Sequence, residues 1–158
     1  MRRIWLAVVL VLLAGCGVQP SGLADAGDAP TGVAPGVTLY FVDPDGRLVP
    51  QLRPTDRLGT VTEATSLLLT GVGSDSELHS EIAAGAPPRV VVTTEPGVIH
   101  LMVPLTIHDV TPLGIDQLVC TALGAHVQGG GSRSTRVRID FVQPTRESDV
   151  RRTCPLIR

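Results

Sequence analysis

The N-terminal residues determine which part of this chain can belong to a folded domain. Arg2 and Arg3 form a short basic start, and Ile4 to Leu13 form an uninterrupted apolar run. That run is too short to cross a bilayer core of about 30 Å, which needs about 20 helical residues. It is typical of the apolar region of a secretory signal peptide, so residues 1–15 are predicted to be removed from the mature protein.

A cysteine stands at the position where the mature chain would begin. Leu13-Ala14-Gly15-Cys16 resembles the bacterial lipobox at every position. This resemblance implies a diacylglycerol on the Cys16 thiol, with palmitate as a typical acyl group, and a protein held at the outer face of the cytoplasmic membrane. Multiple acyl chains give stable anchoring, since each buried CH₂ contributes about 0.8 kcal/mol. An ordinary cleaved signal peptide and an uncleaved membrane anchor are the alternatives.

The segment that follows has the composition of a linker. Residues 17–36 contain eight Gly or Pro residues and show no apolar periodicity. A flexible chain of this length has a root-mean-square reach of roughly 25 Å. We therefore predict a lipidated Cys and linker over residues 16–36, and a single domain over residues 37–158.

The composition of the chain excludes two classes of protein. Hydrophobic residues make up 43% and charged residues 18% of the chain, which excludes a wholly disordered protein. Without Arg2 and Arg3, 11 Arg stand against 15 acidic residues, a formal charge of −4. A slightly acidic chain with 3% aromatic residues argues against nucleic acid as a partner.

Residue patterns predict a β-β-α-β-β-α-β order, with strands at 37–42, 48–52, 89–94, 98–103 and 136–142. Thr60 and Glu63 match a capping box before a first helix that ends near Gly71. Thr111 and Pro112 begin a second helix, which Gly124 is predicted to end. Residues 72–86 are predicted to be a loop with a short helical piece at 77–84. The fold class is α+β: a small mixed or antiparallel sheet with two helices on one face.

The same elements resemble a known family, the GerMN domain of sporulation and spore germination proteins. The resemblance rests on Leu39-Tyr40-Phe41-Val42, a Gly turn, Leu48-Val49-Pro50 and Arg53, and then on the first helix with Ala64, Leu67, Leu68 and Gly71. It covers residues 37–143. The family implies a small α+β domain of envelope lipoproteins, with no catalytic residues to transfer. The fourth strand departs from the family pattern, because Leu101-Met102-Val103-Pro104-Leu105 lacks the usual acidic end.

Two further cysteines, Cys120 and Cys154, are predicted to form a disulfide between the second helix and the C-terminal tail. Disulfides persist outside the cytoplasm, where a lipoprotein resides. The alternative is a pair of free thiols. The chain has no Cys-x-x-Cys motif of a redox or metal site.

No motif predicts catalysis, a cofactor or a metal ion. His79, His100, His108 and His126 follow no zinc-ligand spacing, and no strained nucleophile turn is present. We therefore predict a non-enzymatic binding or scaffolding module of the cell envelope. An envelope-polymer hydrolase and a small solute-binding lipoprotein are the alternatives.

The last strand offers a candidate contact face. Arg136, Arg138 and Asp140 alternate with Val137, Ile139 and Phe141, so the charged residues share the solvated face. Arginine binds carboxylates and phosphates through two hydrogen bonds, and envelope polymers carry both groups. A cell-wall polymer or another envelope protein is therefore the predicted partner.

Overall fold

The computed structural model describes residues 36–73 and 76–158. The predicted signal peptide, Cys16 and all of the linker except Gly36 lie outside this part of the chain. The domain contains five strands and two α-helices: β1 (Gly36–Val42), β2 (Leu48–Pro54), α1 (Val61–Leu69), β3 (Val91–Glu95), β4 (Val98–Met102), α2 (Pro112–Gln128) and β5 (Arg136–Asp140). Short 3₁₀ turns occupy Ile107–Asp109 and Arg146–Asp149. The predicted α+β class and element order are confirmed.

The strands are divided between two small sheets, where the sequence analysis expected a single sheet. β1 and β2 form an antiparallel pair, and β4 pairs antiparallel with β3 and parallel with β5. Gly46 (φ 76°) and Gly97 (φ 77°) close the two hairpins in the left-handed region that glycine tolerates. β1 begins at Gly36, one residue earlier than predicted. A Cβ at that position would overlap the carbonyl oxygen of Arg53 on β2.

Helix α1 begins at the predicted capping box. The Glu63 amide donates to Thr60 Oγ1 (3.2 Å), and the Thr60 amide donates to Glu63 Oε2 (2.9 Å). These two bonds satisfy amides that have no partner within the helix. Ala64 and Leu68 are buried on the inner face of the helix, which contacts β1 and α2.

Helix α2 is longer than predicted and lies at the centre of the domain. It continues through Gly124 to Gln128, so the predicted end at Gly124 is wrong. A Cβ at position 124 would lie 3.3 Å from the Tyr40 ring, so this glycine serves close packing. Apart from Asp116, every residue from Gly114 to Ala125 is buried, and the helix contacts β1, α1 and β5. A helix that is buried around its circumference can pack against elements of both sheets.

The predicted helical piece at 77–84 is also wrong. Residues 76–83 instead form two isolated β-bridges, one between His79 and Val42 and one between Ile82 and Val110. The His79 and Val42 backbones exchange two hydrogen bonds of 2.9 and 3.0 Å. Partners distant in sequence thus decide the conformation of this segment, which its local composition could not indicate.

The core draws on both sheets and both helices. Val137, Ile139 and Phe141 are buried as predicted, at 0%, 1% and 6% exposure. Phe41, Leu39 and Leu118 are the central large side chains, each at 0%. The charged alternate residues of β5 consequently face away from the core.

Candidate functional site

The two domain cysteines lie at disulfide-bonding distance. The Cα atoms of Cys120 and Cys154 are 4.7 Å apart, within the range that a disulfide spans. Cys120 lies in the buried part of α2, and Cys154 is 3% exposed in the C-terminal tail. The pair therefore attaches the tail to the central helix, as the sequence predicted.

The charged face of β5 binds mostly to its own chain. Arg138 Nε donates to the carbonyl oxygen of Ser148 (2.6 Å), and its Nη2 lies 3.1 Å from Asp140 Oδ1 and 3.3 Å from Asp149 Oδ1. Arg138 thus holds the second 3₁₀ turn against the sheet. Arg136 is exposed at the strand's beginning and is the member of the face most accessible to a partner. Its role as a contact residue stays a prediction.

Two carboxylates flank a histidine on the same outer face. His100 Nε2 lies 3.6 Å from Glu95 Oε2, and His100 Nδ1 lies 3.8 Å from Asp140 Oδ2. Both distances exceed a hydrogen bond, so the attraction is electrostatic and depends on protonation of the imidazole. These residues are distant in the sequence, and the hairpin and the parallel pairing of β4 with β5 bring them together. Within residues 36–73 and 76–158 no three His, Cys, Asp or Glu side chains are arranged to hold a metal ion.

A groove of about 400 Å³ runs beside α1, and we call it the α1 groove. Its floor includes Val37 of β1, Leu67 of α1 and Pro88 of the segment before β3. Gly59 also lines the groove, and hydroxyl groups and an ion pair come from Thr55, Arg57, Glu63, Ser66 and Thr70. The volume falls in the range of small-molecule sites, which are mainly apolar with a few polar groups.

Arg57 and Glu63 form the charged part of the α1 groove. Arg57 Nη1 donates to Glu63 Oε2 (3.2 Å), and Arg57 Nη2 contacts the other carboxylate oxygen. The Arg57 hydrogen bond and the Thr60 amide lower the pKa of Glu63 from its ordinary 4.5 to about 2. Glu63 therefore remains charged at neutral pH, where it caps the helix and fixes the Arg57 guanidinium at the groove.

The fold accounts for why the sequence did not reveal this groove. Val37 and Leu67 follow ordinary core periodicity, and Arg57 lies in the connection before α1. The one local signal was the capping box, which places Glu63 in the first turn of α1. Arg57 reaches that carboxylate from six residues earlier in the chain.

No described helix of the domain is long and apolar enough to cross a membrane. Comparison with protein-family models, curated proteins and solved structures finds no match to this chain.

Proposed function

We propose that this chain is an extracytoplasmic lipoprotein, anchored through lipid on Cys16, whose GerMN-like domain is a non-enzymatic binding module of the cell envelope. The α1 groove is its ligand site. The observation that carries this proposal is the combination of an apolar floor with a fixed ion pair in a cavity of ligand size. Such an arrangement binds and orients a molecule.

The position of the groove supports a ligand from the membrane surface. Val37, on the groove floor, directly follows the segment that joins the domain to Cys16. In the proposed lipoprotein, the 20 residues 17–36 separate Val37 from the lipid anchor. The cysteine pair agrees with this location, because disulfides persist outside the reducing cytoplasm.

The chemistry of the groove favours an amphipathic ligand. Leu67 and Pro88 offer contact to an apolar chain, above the fully buried Val37. Arg57 keeps donor capacity beyond its bonds to Glu63, because a guanidinium has five N–H donors. A carboxylate or phosphate head can therefore bind beside the ion pair while the chain lies on the floor.

Binding of a fluorescent amphiphile tests the groove. We expect dansyl-undecanoic acid to increase in fluorescence with the full chain, because the dansyl group leaves water on binding. Ser66→Trp, which fills the groove, should abolish the increase. Thr62→Trp is the matched control, since Thr62 is exposed on the same helix and is not part of the groove wall. Equal binding by both variants would contradict the assignment.

The anchor has a separate test. Cys16→Ala should abolish incorporation of a palmitate analogue during growth, because no other thiol stands beside the Ala14-Gly15 site. Equal labelling of the two proteins would refute lipidation at Cys16. It would leave the binding result for the α1 groove unaffected.

The exposure of Arg136 favours a second candidate surface. A cell-wall polymer bound at this face would be recovered less well by Arg136→Ala than by the unmodified chain. Arg138→Ala would not be a clean probe, because Arg138 also holds Ser148 and Asp149. Unchanged recovery of purified wall polymer by Arg136→Ala would remove this face from consideration.

A further inference from the structure

Other parts of the chain cover the outer edges of β1 and β5. The Tyr40 amide of β1 donates to Thr121 Oγ1 (3.1 Å), and the Tyr40 carbonyl accepts from Gln117 Nε2 (2.9 Å). On β5, the backbones of Val137 and Arg152 exchange hydrogen bonds of 2.9 and 2.8 Å. Both strands are therefore closed to a further strand at these positions.

The edge of β2 is closed by proline. Pro50 pairs with Tyr40 and Pro54 pairs with Gly36. The backbone groups of Tyr40 point towards α2, so the backbone nitrogen of Pro50, its partner on β2, points away from β1. Pro54 lies four residues further along the strand, so its nitrogen points the same way. Each proline removes a donor from this edge, which is a common way to prevent pairing with another strand.

β3 has an edge without such protection. The odd-numbered residues of β4 form the hydrogen bonds to β5, and just after β4 the Val103 amide still donates to Asp140. The even-numbered residues of β4 therefore form the hydrogen bonds to β3. Thr93 pairs with His100 in this ladder. The alternate residues Val92 and Thr94 therefore direct their N–H and C=O groups away from the sheet.

Nothing in the described residues hydrogen-bonds to that edge. α1 contacts β3, but the hydrogen bonds to β3 within residues 36–73 and 76–158 come from β4. The strand reads Val-Val-Thr-Thr-Glu, with four β-branched residues and no proline or bulge. Val91 is 54% exposed. This sequence has a high strand propensity and carries neither the proline nor the bulge that closes other natural edges, and its one charged residue stands at its end.

We propose that β3 pairs antiparallel with β3 of a second copy of this chain, joining two three-stranded sheets into one six-stranded sheet. The symmetric register places Val92 opposite Val92 on the two-fold axis. Val91 then lies opposite Thr93 of the other copy, and extension of the pairing by two residues before the strand brings Arg89 opposite Glu95. The interface is self-complementary, as a two-fold interface requires.

Charge favours this register over one that is shifted by two residues. A shift of the pairing by two residues places Glu95 opposite Val91, so a carboxylate faces an apolar side chain. In the proposed register two Arg89–Glu95 pairs form across the axis, and opposite charges at facing strand positions stabilise pairing. Glu95 also lies 3.6 Å from His100 Nε2 of its own chain, so the imidazole is the other group that faces this carboxylate.

The interface is small, so association in solution should be weak. A single strand pair is at the low end of the area buried in specific complexes. Attachment of both copies to one membrane raises their effective concentration, as tethering does for any pair of binding modules. The pairing itself does not depend on the lipid.

Charge reversal tests the partner and the register together. Sedimentation of the full chain in detergent should show a monomer–dimer equilibrium. Arg89→Glu and Glu95→Arg should each weaken dimerisation about ten-fold, because like charges then face each other twice. The double variant should restore the dimer. A dimer that none of the three changes affects would place the interface elsewhere.

Backbone and crosslinking variants complete the test. Thr94→Pro removes an outward N–H and should abolish the dimer without unfolding the chain, whereas Thr94→Val retains the donor and the dimer. In intact membranes, differently tagged copies carrying Val91→Cys and Thr93→Cys should crosslink on oxidation, while Thr93→Cys alone should not. A monomer at every concentration without a crosslink would overturn the proposal. Recovery of β3 crosslinked only to other envelope proteins would overturn it equally.

Discussion

Gln117 is the side chain whose replacement should test the central position of α2 most directly. It is 0% exposed on a helix surrounded by apolar groups. Its Nε2 donates to the Tyr40 carbonyl (2.9 Å), and its Oε1 accepts from the Glu81 amide (2.7 Å). Only this orientation of the amide satisfies both partners. Gln117 thus connects α2 to β1 and to the segment of Glu81, between α1 and β3.

The expected loss in the free energy of unfolding follows from the two backbone groups that lose their hydrogen-bond partner. Gln117→Met keeps the length of the side chain and leaves the Tyr40 carbonyl and the Glu81 amide without a hydrogen bond. Each such group costs about 1–3 kcal/mol, so the free energy of unfolding should fall by about 2–6 kcal/mol. The apolar thioether offsets part of this loss, which places our expectation near 3 kcal/mol.

Urea unfolding of the full chain, with the cysteine pair oxidised, measures this difference. Thr121→Val is the matched control, because it removes one bond, from the Tyr40 amide, at a residue that is also 0% exposed. We expect about half the effect of Gln117→Met. A loss below about 1 kcal/mol for Gln117→Met, or one no larger than the control, would refute the reasoning.

Three other perturbations test separate parts of the domain. Phe141→Ala should lower the free energy of unfolding by about 3–5 kcal/mol, as large-to-small core changes do, and Val142→Ala, at 61% exposure, should have little effect in the same urea experiment. Replacing Cys120 and Cys154 by Ser should cost about 4 kcal/mol for a closed loop of this length, and mass spectrometry without reduction should show the unmodified domain lighter by two hydrogen atoms; an unchanged mass on reduction would contradict the bridge. Because the folded pKa of Glu63 is depressed to about 2, its stabilising contribution is present above the ordinary 4.5 and is lost as pH falls from there to about 2. The midpoint of thermal unfolding should therefore fall less steeply over this range for Glu63→Gln than for the unmodified chain, and parallel curves would disprove the coupling.

Sequence patterns predicted those elements that are determined by residues close together in the sequence. The Thr60–Glu63 capping box, the Thr111-Pro112 start and the Pro96-Gly97 turn all depend on neighbouring residues, and each is found where the sequence placed it. The cysteine pair also followed from sequence, because the predicted compartment and the even count allowed one pairing in the domain.

Features that depend on distant partners could not be predicted in the same way. Glycine is common at helix ends, so Gly124 was predicted to end α2. Its close packing against Tyr40 could be predicted only from the fold. Arg138 occupies an alternating position that is typical of a solvated residue, yet it donates hydrogen bonds to Ser148 and Asp149. The α1 groove combines a strand, a connection, a helix and a proline from separate parts of the chain, so no single motif could identify it.

The attachment of the tail by Cys154 has a consequence for the reduced chain. The backbone of Arg152, two residues before this cysteine, covers the outer edge of β5. In a reducing compartment the tail keeps only its non-covalent contacts, so opening of this edge should become more frequent. The reduced chain would then present open strand edges on both sides of the three-stranded sheet and should aggregate more readily than the oxidised chain. We therefore expect the redox state of a single bond to determine how long the edge of β5 stays closed.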